Sequence, residues 1–137
     1  MASILKVDDL RGNTSAGNIT ITSEGGAATM QLQQGVAKAW ANVDGTGTVA
    51  LRDSFNVSTL TDSGTGVYKL TFTSSMGNAD YSSVASGNIS TTNSGRDVSC
   101  PRSTITTTEI DMACFRSDTL AAEDFDYAMN QVNGDLA

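Results

Sequence analysis

The sequence contains no histidine, only two cysteines and one proline, and aromatic residues make up only 6% of it. Without histidine, the chain lacks the commonest general base and the commonest ligand of transition metals in proteins. Ser–His–Asp and Cys–His catalytic arrangements therefore cannot form within it. We expect a protein that is not an enzyme and that binds no metal ion and no cofactor.

Basic residues and long apolar runs are scarce as well. Eight Lys and Arg stand against 15 Asp and Glu, which leaves a formal net charge of −7. An acidic surface repels phosphate backbones, so we expect no nucleic-acid partner. No apolar run approaches the roughly 20 residues that cross a bilayer, and the apolar run in MASILKVDDLRG is too short for a signal peptide. These features predict a soluble protein that is made in a cytoplasm and does not insert into membranes.

The only thiols are those of Cys100 and Cys114, and they form no CxxC pair. Two cysteines without an export signal are expected to be free and buried. A disulfide between them is the less favoured alternative.

The segment Lys38–Val57 carries the clearest β pattern and the single tryptophan. Apolar and polar residues alternate over Lys38–Asp44 and again over Thr48–Asp53. The glycine-rich stretch between them, Asp44–Gly47, has the residues that a tight hairpin turn requires. The segment therefore predicts a β-hairpin.

Further short strands follow the same kind of pattern, and in one of them Tyr68, Leu70 and Phe72 are expected to point inward. Residues 61–66 are predicted to form a turn-rich loop and residues 86–101 a long, unpatterned loop that is a candidate binding element. The fold predicted is all-β, an antiparallel, jelly-roll-like β-sandwich with a short extended N-terminal β arm. The other predicted strands are Ile4–Val7, Asn18–Ser23, Thr29–Leu32, Phe55–Val57, Val67–Thr73, Tyr81–Ala85, Ile105–Thr108, Met112–Arg116 and Glu123–Val132.

Two regions are expected, an N-terminal arm at residues 1–34 and a β-sandwich at residues 35–137. The arm has apolar residues such as Ile19 and Ile21 but too few to bury a core alone. It is therefore expected to pack on something else, either the domain behind it or another copy of the chain, with a frayed terminus as the less favoured alternative.

Four acidic or charged groupings in the sequence are candidate sites. The cluster Glu123, Asp124 and Asp126 matches no calcium-loop spacing, so a solvated loop is favoured over a cation site. Glu109 and Asp111 are an available but ordinary carboxylate pair. Asp8-Asp9 is a surface pair by default. Arg52-Asp53 is expected to be an exposed pair, with an ion pair at a subunit contact as the alternative.

The large aromatics allow two hypotheses. Trp40, Tyr68, Tyr81 and Tyr127 could form a platform that stacks on sugar rings. Because aromatic residues are scarce here and large, core or near-core positions are favoured.

The run Lys38–Tyr81 resembles the C-terminal domain of tail-fibre-like proteins of tailed bacteriophages, particularly phages of marine bacteria. The opening SILKVDDLRG is similar to the N-terminal leader of those fibres. The matching motifs are Lys38-Ala39-Trp40, Asn42, Gly45–Thr48, Arg52–Val57, Thr61-Asp62, Gly64–Gly66 with Tyr68, and Gly134–Ala137.

The resemblance implies a β-rich, homotrimeric virion appendage that contacts other phage structural proteins in the tail or capsid and touches a host surface glycan. Since only about 34 residues precede the globular part and no repetitive shaft is present, a tail fibre, a short spike and a head fibre or capsid decoration protein all remain open. A carbohydrate-binding module is the alternative from another functional class. The candidate receptor or subunit contacts are Trp40, Arg52, Asp53, Tyr81 and Arg96.

Overall fold

The computed structural model describes residues 5–14, 19–89 and 96–137, and the chain divides into two compact units, residues 1–36 and 37–137. In the first unit, β1 (Thr20–Thr22) pairs with β2 (Thr29–Gln31) as an antiparallel hairpin. The helical turn α1 (Leu32–Gly35) follows directly. None of the described residues of this unit is buried.

The described residues of the second unit form eight strands in two four-stranded antiparallel sheets. One sheet has the order β4-β3-β10-β7 and is called the β3 sheet; the other has the order β5-β6-β9-β8 and is called the β6 sheet. A 3-10 helix, Arg102–Thr104, lies between β8 and β9. The strands are β3 (Ala39–Asp44), β4 (Ala50–Phe55), β5 (Val57–Gly64), β6 (Val67–Phe72), β7 (Ser82–Asn88), β8 (Arg96–Ser99), β9 (Glu109–Arg116) and β10 (Tyr127–Asn133).

The inward side chains of both sheets form one hydrophobic core. Tyr68, Leu70 and Phe72 are buried, as the alternation in β6 predicts. In β3 and β10 every second residue is buried in the same way, so each strand has one core face and one outer face. The all-β, antiparallel prediction is confirmed, whereas the jelly-roll-like connectivity and the trimer stay predictions.

A hydrogen-bond network around the Tyr68 hydroxyl lies at one end of the core. This hydroxyl donates to Asp124 Oδ1 at 3.1 Å, and the backbone N–H of Gly66 donates to the same oxygen at 2.6 Å. The N–H of Phe125 donates back to the hydroxyl at 3.4 Å, while its carbonyl accepts from Gly45 N–H at 2.7 Å. The β3–β4 turn is thereby tied to the segment before β10.

Asn56 marks the corner where the chain leaves the β3 sheet and enters the β6 sheet. It has a φ of +57°, a conformation that asparagine tolerates better than most residues. Its amide donates to the carbonyls of Lys38 and Ser74 and accepts from Ser74 N–H. The predicted continuous strand Phe55–Val57 is therefore two strands with a corner between them.

Several other strand boundaries differ from the prediction. Residues 61–64 belong to β5, and the turn is confined to Thr65 and Gly66, since β5 keeps its pairing with β6 through a register shift. The expected loop at 86–101 contains the end of β7 and all of β8, and its residues 90–95 lie outside the described part of the chain. Residues 5–7 form no strand, and Ile4 and Asn18 lie outside the described residues.

The predicted strand Ile105–Thr108 is absent for a local reason. The hydroxyl of Thr106 accepts from the backbone N–H groups of Thr108 and Glu109 at 3.2 and 3.0 Å. Such side-chain bonds replace the ladder bonds that a strand would make. The threonine-rich composition that favours strands is also the composition that allows this turn.

A candidate binding face

The outer surface of the β3 sheet is set by the alternation in β3. Ala39, Ala41 and Val43 are buried, which leaves Trp40 and Asn42 on the opposite side. Trp40 is half-buried on this outer surface and does not belong to the core. The expectation of a core or near-core tryptophan is therefore wrong, because β3 places its small residues inward and its largest residue outward.

Directly opposed residues extend this surface across all four strands. Trp40 lies opposite Phe55 of β4 and Gln131 of β10, and Gln131 lies opposite Val84 of β7. Opposed residues share a face of the sheet, so these four side chains form one row. Phe55 is 52% and Val84 67% exposed, which is high for large apolar side chains. We call this surface of the β3 sheet the outer face.

A second row runs parallel to the first. Asn42 lies opposite Asp53 of β4 and Met129 of β10, and Met129 lies opposite Ser86 of β7. Between the two rows is a groove with a volume of about 490 Å³. Its lining includes Trp40, Asn42, Val84, Ser86, Met129 and Gln131.

Arg52 lies at one end of the outer face, where the register between β3 and β4 shifts after Asn42. Its guanidinium contacts Asp44 at 2.6 Å and donates twice to the carbonyl of Asp126, at 3.0 and 3.2 Å. The same guanidinium lies 4.5 Å from the ring centroid of Tyr127. Its charge is therefore already matched within the chain.

The carboxylate of Asp44 is stabilised in its charged form. Hydrogen bonds from the hydroxyl and the backbone N–H of Thr46, and then the charge of Arg52, hold the pKa of Asp44 below its usual value. The Arg52–Asp53 ion pair considered from the sequence is replaced by this Arg52–Asp44 pair. Asp53 is exposed and accepts from Ser54 N–H at 2.8 Å.

The structure brings three of the five candidate contacts together. Trp40, Arg52 and Asp53 lie on the outer face, whereas Tyr81 and Arg96 do not. Tyr81 is only 8% exposed, packs edge-on against a core phenylalanine and donates to the carbonyl of Thr106 at 3.0 Å. The side chain of Arg96 is 10% exposed and contacts Glu123 at 2.7 Å. Both are structural, and neither is available for a receptor.

The proposed four-membered aromatic platform is also divided by the fold. Tyr68 and Tyr81 lie in the core, while Trp40 and Tyr127 lie on the outer face. Phe55, Val84, Met129 and Gln131 complete the face but were not identified from the sequence. The alternation in β10 would have indicated Met129 and Gln131, whereas Val84 reaches Trp40 only through strand pairing that one sequence does not reveal.

The acidic groupings have separate partners. Glu123 contacts Arg96, and Asp124 accepts from Gly66 and Tyr68. No group of three or more potential metal ligands occurs among the described residues.

The carboxylates of Glu109 and Asp111 stand two residues apart on β9 and face no shared groove among those described. Lys69 contacts Glu109 at 3.1 Å and lies opposite Asp111 in the register. Burial raises the pKa of Asp111. Glu109 is thus paired with Lys69, whereas Asp111 is only 8% exposed and is not an open surface carboxylate.

Both thiols are free, as expected. Cys114 is buried and Cys100 is half-buried, where its sulfur accepts from the Asn130 amide at 3.1 Å. Burial raises the pKa of Cys100 and raises that of Cys114 to about 12.

Comparison of the chain with protein-family models, with curated proteins and with solved structures found no match. Within the described residues, no helix has the length and apolar character that crossing a membrane requires.

Proposed function

We propose that this protein is a bacteriophage virion structural protein, a short homotrimeric tail fibre or fibre-like appendage that attaches the particle to the host surface. The observation that carries the proposal is that the first unit exposes apolar side chains among its described residues and buries none of them, whereas the second unit has a hydrophobic core of its own. In this proposal the second unit is a jelly-roll-like β-sandwich head, and the protein is made in the host cytoplasm and resides in the virion.

The first unit has apolar side chains but no core of its own among the described residues. Ile21 and Met30 lie opposite each other in the hairpin and are both exposed, and Leu5 is 76% exposed. A two-stranded hairpin is marginally stable at best in water unless something packs on it. Docking on another phage structural protein, or on the same segment of two further copies, would supply the missing contact.

Charge limits where three copies can meet. Three chains bring a formal charge of 3 × −7 = −21, so their contacts must avoid the acidic surface. The hairpin residues Thr20–Thr22 and Thr29–Gln31 contain no charged residue. An uncharged, partly apolar segment is the kind of surface on which acidic chains can associate, and a closed cyclic trimer leaves no open-ended contact.

Light scattering on the full chain tests the oligomeric state. We expect a trimer mass at micromolar concentration, and Ile21→Ser with Met30→Ser should reduce it. Thr20→Ser with Thr22→Ser is the matched control on the same strand and should leave the mass unchanged. A monomer mass for the unchanged chain would overturn the homotrimer.

Imaging of particles that carry a label on the C-terminus tests the virion location. Label at the tail supports a tail fibre, and label on the head supports the alternative of a head fibre or capsid decoration protein. Particles without label would overturn the virion role and would favour the second candidate, a carbohydrate-binding module. The half-buried Trp40 in the lining of the groove is the observation that favours this second candidate.

The proposed role involves no catalysis. Incubation of the chain with host surface polysaccharide should release no reducing ends. Release that a single Asp or Glu substitution abolishes would show that the protein is a hydrolase.

A further inference from the structure

We infer that the groove on the outer face binds neutral sugar residues, with the Trp40 indole as the stacking surface and neutral side chains around it as hydrogen-bonding groups. The inference rests on the proposed attachment function, because the host surface is the source of the sugar. To that function the inference adds the binding site, the class of sugar that is bound and the residues that bind it.

The chemistry of the lining carries the first step. An indole presents a flat apolar face with a negative quadrupole, to which the polarised C–H groups of a sugar ring are attracted. Asn42, Ser86 and Gln131 line the same groove with amide and hydroxyl groups. These groups both donate and accept, as the hydroxyl groups of a sugar require. A mostly apolar groove with a few convergent polar groups is the usual form of a small-ligand site, and about 490 Å³ lies within the usual range of volumes.

The state of the Asn42 side chain supports a polar ligand. Its Oδ1 is shielded from solvent and has no hydrogen-bond partner among the described residues. A buried acceptor without a partner costs about 1–3 kcal/mol. Rotation of this amide about its terminal bond would present a donor and an acceptor to a ligand hydroxyl in the groove, which would recover part of that cost.

The charge around the groove selects neutral sugars. The side chains named in its lining are uncharged, Arg52 is matched by Asp44, and Asp53 is the remaining charge on the adjoining strand. A chain with net charge −7 repels acidic polysaccharides, and Arg52 is not available to offset that repulsion. Neutral hexoses and N-acetylhexosamines carry no such penalty.

A second copy of the chain is a less suitable occupant. A flat apolar partner surface would cover Asn42, Ser86 and Gln131 and remove their water without replacing its hydrogen bonds. A sugar replaces those bonds. The groove thus fits a sugar better than it fits the subunit contact of the proposed trimer.

The test uses the fact that Trp40 is the only tryptophan of the chain, so that its emission reports on the groove alone. The full-length protein is titrated with neutral oligosaccharides of glucose, galactose, mannose and N-acetylglucosamine. Dextran sulfate and polygalacturonate are the acidic comparators. We expect at least one neutral oligosaccharide to shift the emission and to protect it from acrylamide, with no effect of the acidic polymers.

Immobilised oligosaccharide then allows variants without tryptophan to be compared. Trp40→Ala should weaken binding by more than about tenfold, and Gln131→Ala by about fivefold through loss of one hydrogen bond. Thr61→Ala, an exposed change on the β6 sheet, should have no effect. A thermal melt of each variant shows whether it is folded. If Trp40→Ala does not fold, two single variants replace it, Trp40→Phe and the exposed change Val84→Asp.

Three results would overturn the inference. The first is no response to neutral sugars at 10 mM, which is roughly the weak limit of specific binding. The second is sugar binding that the Trp40 and Gln131 variants leave unchanged. The third is binding of the acidic polymers alone. A Trp40 emission that changes with protein concentration, together with a lower oligomer mass of Trp40→Ala, would show instead that the outer face joins copies of the chain. If the protein binds sugar but particle imaging does not find it in the virion, the proposed function fails and this inference stands. If imaging finds it in the virion but it binds no sugar, this inference fails and the proposed function stands.

Discussion

The guanidinium of Arg52 lies 4.5 Å from the ring centroid of Tyr127, and it connects β4 to the start of β10 across the intervening β3. The same group contacts Asp44 at 2.6 Å and donates to the carbonyl of Asp126. One side chain thus links the end of β3 and the start of β10 to β4 at one end of the outer face.

Arg52→Ala should therefore lower the free energy of unfolding by about 1–2 kcal/mol, the sum of a cation–π contact, a partly exposed ion pair and hydrogen bonds to one carbonyl. Arg52→Lys should recover only part, since an ammonium lacks the planar fork of the guanidinium. The measurement is guanidinium chloride unfolding followed by circular dichroism.

Arg116 offers the matched control, because among the described residues its guanidinium pairs only with the nearby, exposed Asp118. Arg116→Ala should leave the free energy of unfolding almost unchanged, because exposed ion pairs contribute little. Equal losses for Arg52→Ala and Arg116→Ala would contradict the bridging role of Arg52.

Trp40 and Phe125 are expected to differ strongly in their effect on stability. Phe125 is fully buried, so Phe125→Ala should cost about 3–5 kcal/mol. Trp40 is half-buried on the outer face, so Trp40→Ala should remain folded and lose about 1–2 kcal/mol, in proportion to the area that it covers. The core position favoured from the sequence would instead predict a loss as large as that of Phe125→Ala. An unfolded or insoluble Trp40→Ala would restore a core role for the indole.

The sequence predicts the class of the fold well because alternation is a local property. The inward positions of Tyr68, Leu70 and Phe72 and the β3–β4 hairpin follow from it directly. Alternation does not reveal which of two faces is buried. In β3 the face with small residues is the inner one, since Ala39 and Ala41 belong to the hydrophobic core, and so the core position predicted for Trp40 is wrong.

The candidate site depends on pairings that are distant in sequence. Val84 and Gln131 oppose each other only because β10 lies between β3 and β7. Nothing in either strand indicates this neighbour. Likewise, Arg96 and Tyr81 resemble exposed functional residues in the sequence, but an ion pair and a backbone hydrogen bond hold them inside the structure.

Gly45→Ala should be among the most destabilising glycine substitutions of the second unit. A Cβ at this position would collide with the Tyr68 hydroxyl and lie 2.9 Å from the Phe125 carbonyl. The tyrosine is buried and hydrogen-bonded to Asp124, so it cannot move without breaking that bond. We expect a loss of about 2 kcal/mol or more.

Gly77→Ala is the control for this change. Its nearest contact to an added Cβ would be 3.5 Å, an ordinary van der Waals distance, and its φ is not positive. The expected change is within about 0.5 kcal/mol. A Gly45→Ala protein with the melting temperature of the unchanged chain would show that the turn has more room than the structure indicates.

Cys114 should be chemically inert in the folded protein. It is 1% exposed, and burial raises its pKa to about 12, so neither access nor thiolate is available near neutral pH. A thiol reagent at pH 8 should leave Cys114 unmodified until guanidinium chloride unfolds the chain. Mass spectrometry of the modified peptides is the measurement, and rapid modification of Cys114 in the folded state would contradict the burial.

The free energy of unfolding should fall at alkaline pH because buried thiol and phenol groups resist ionisation in the folded protein. Burial raises the pKa of Cys114 from 9.0 and that of Tyr81 from 10.0, each to about 12. Below these usual values both states keep the groups neutral. As the pH rises further, the unfolded chain ionises while the folded chain does not, so the free energy of unfolding declines from about pH 9 until the folded groups ionise near pH 12.

Guanidinium chloride unfolding at pH 8, 9.5, 10.5 and 11.5 measures this decline. Cys114→Ala should flatten it from pH 9 upward and Tyr81→Phe only above pH 10, whereas Phe72→Leu, a change in the side chain that packs on Tyr81, should lower stability equally at every pH. A decline that neither Cys114→Ala nor Tyr81→Phe alters would assign the alkaline loss to other groups.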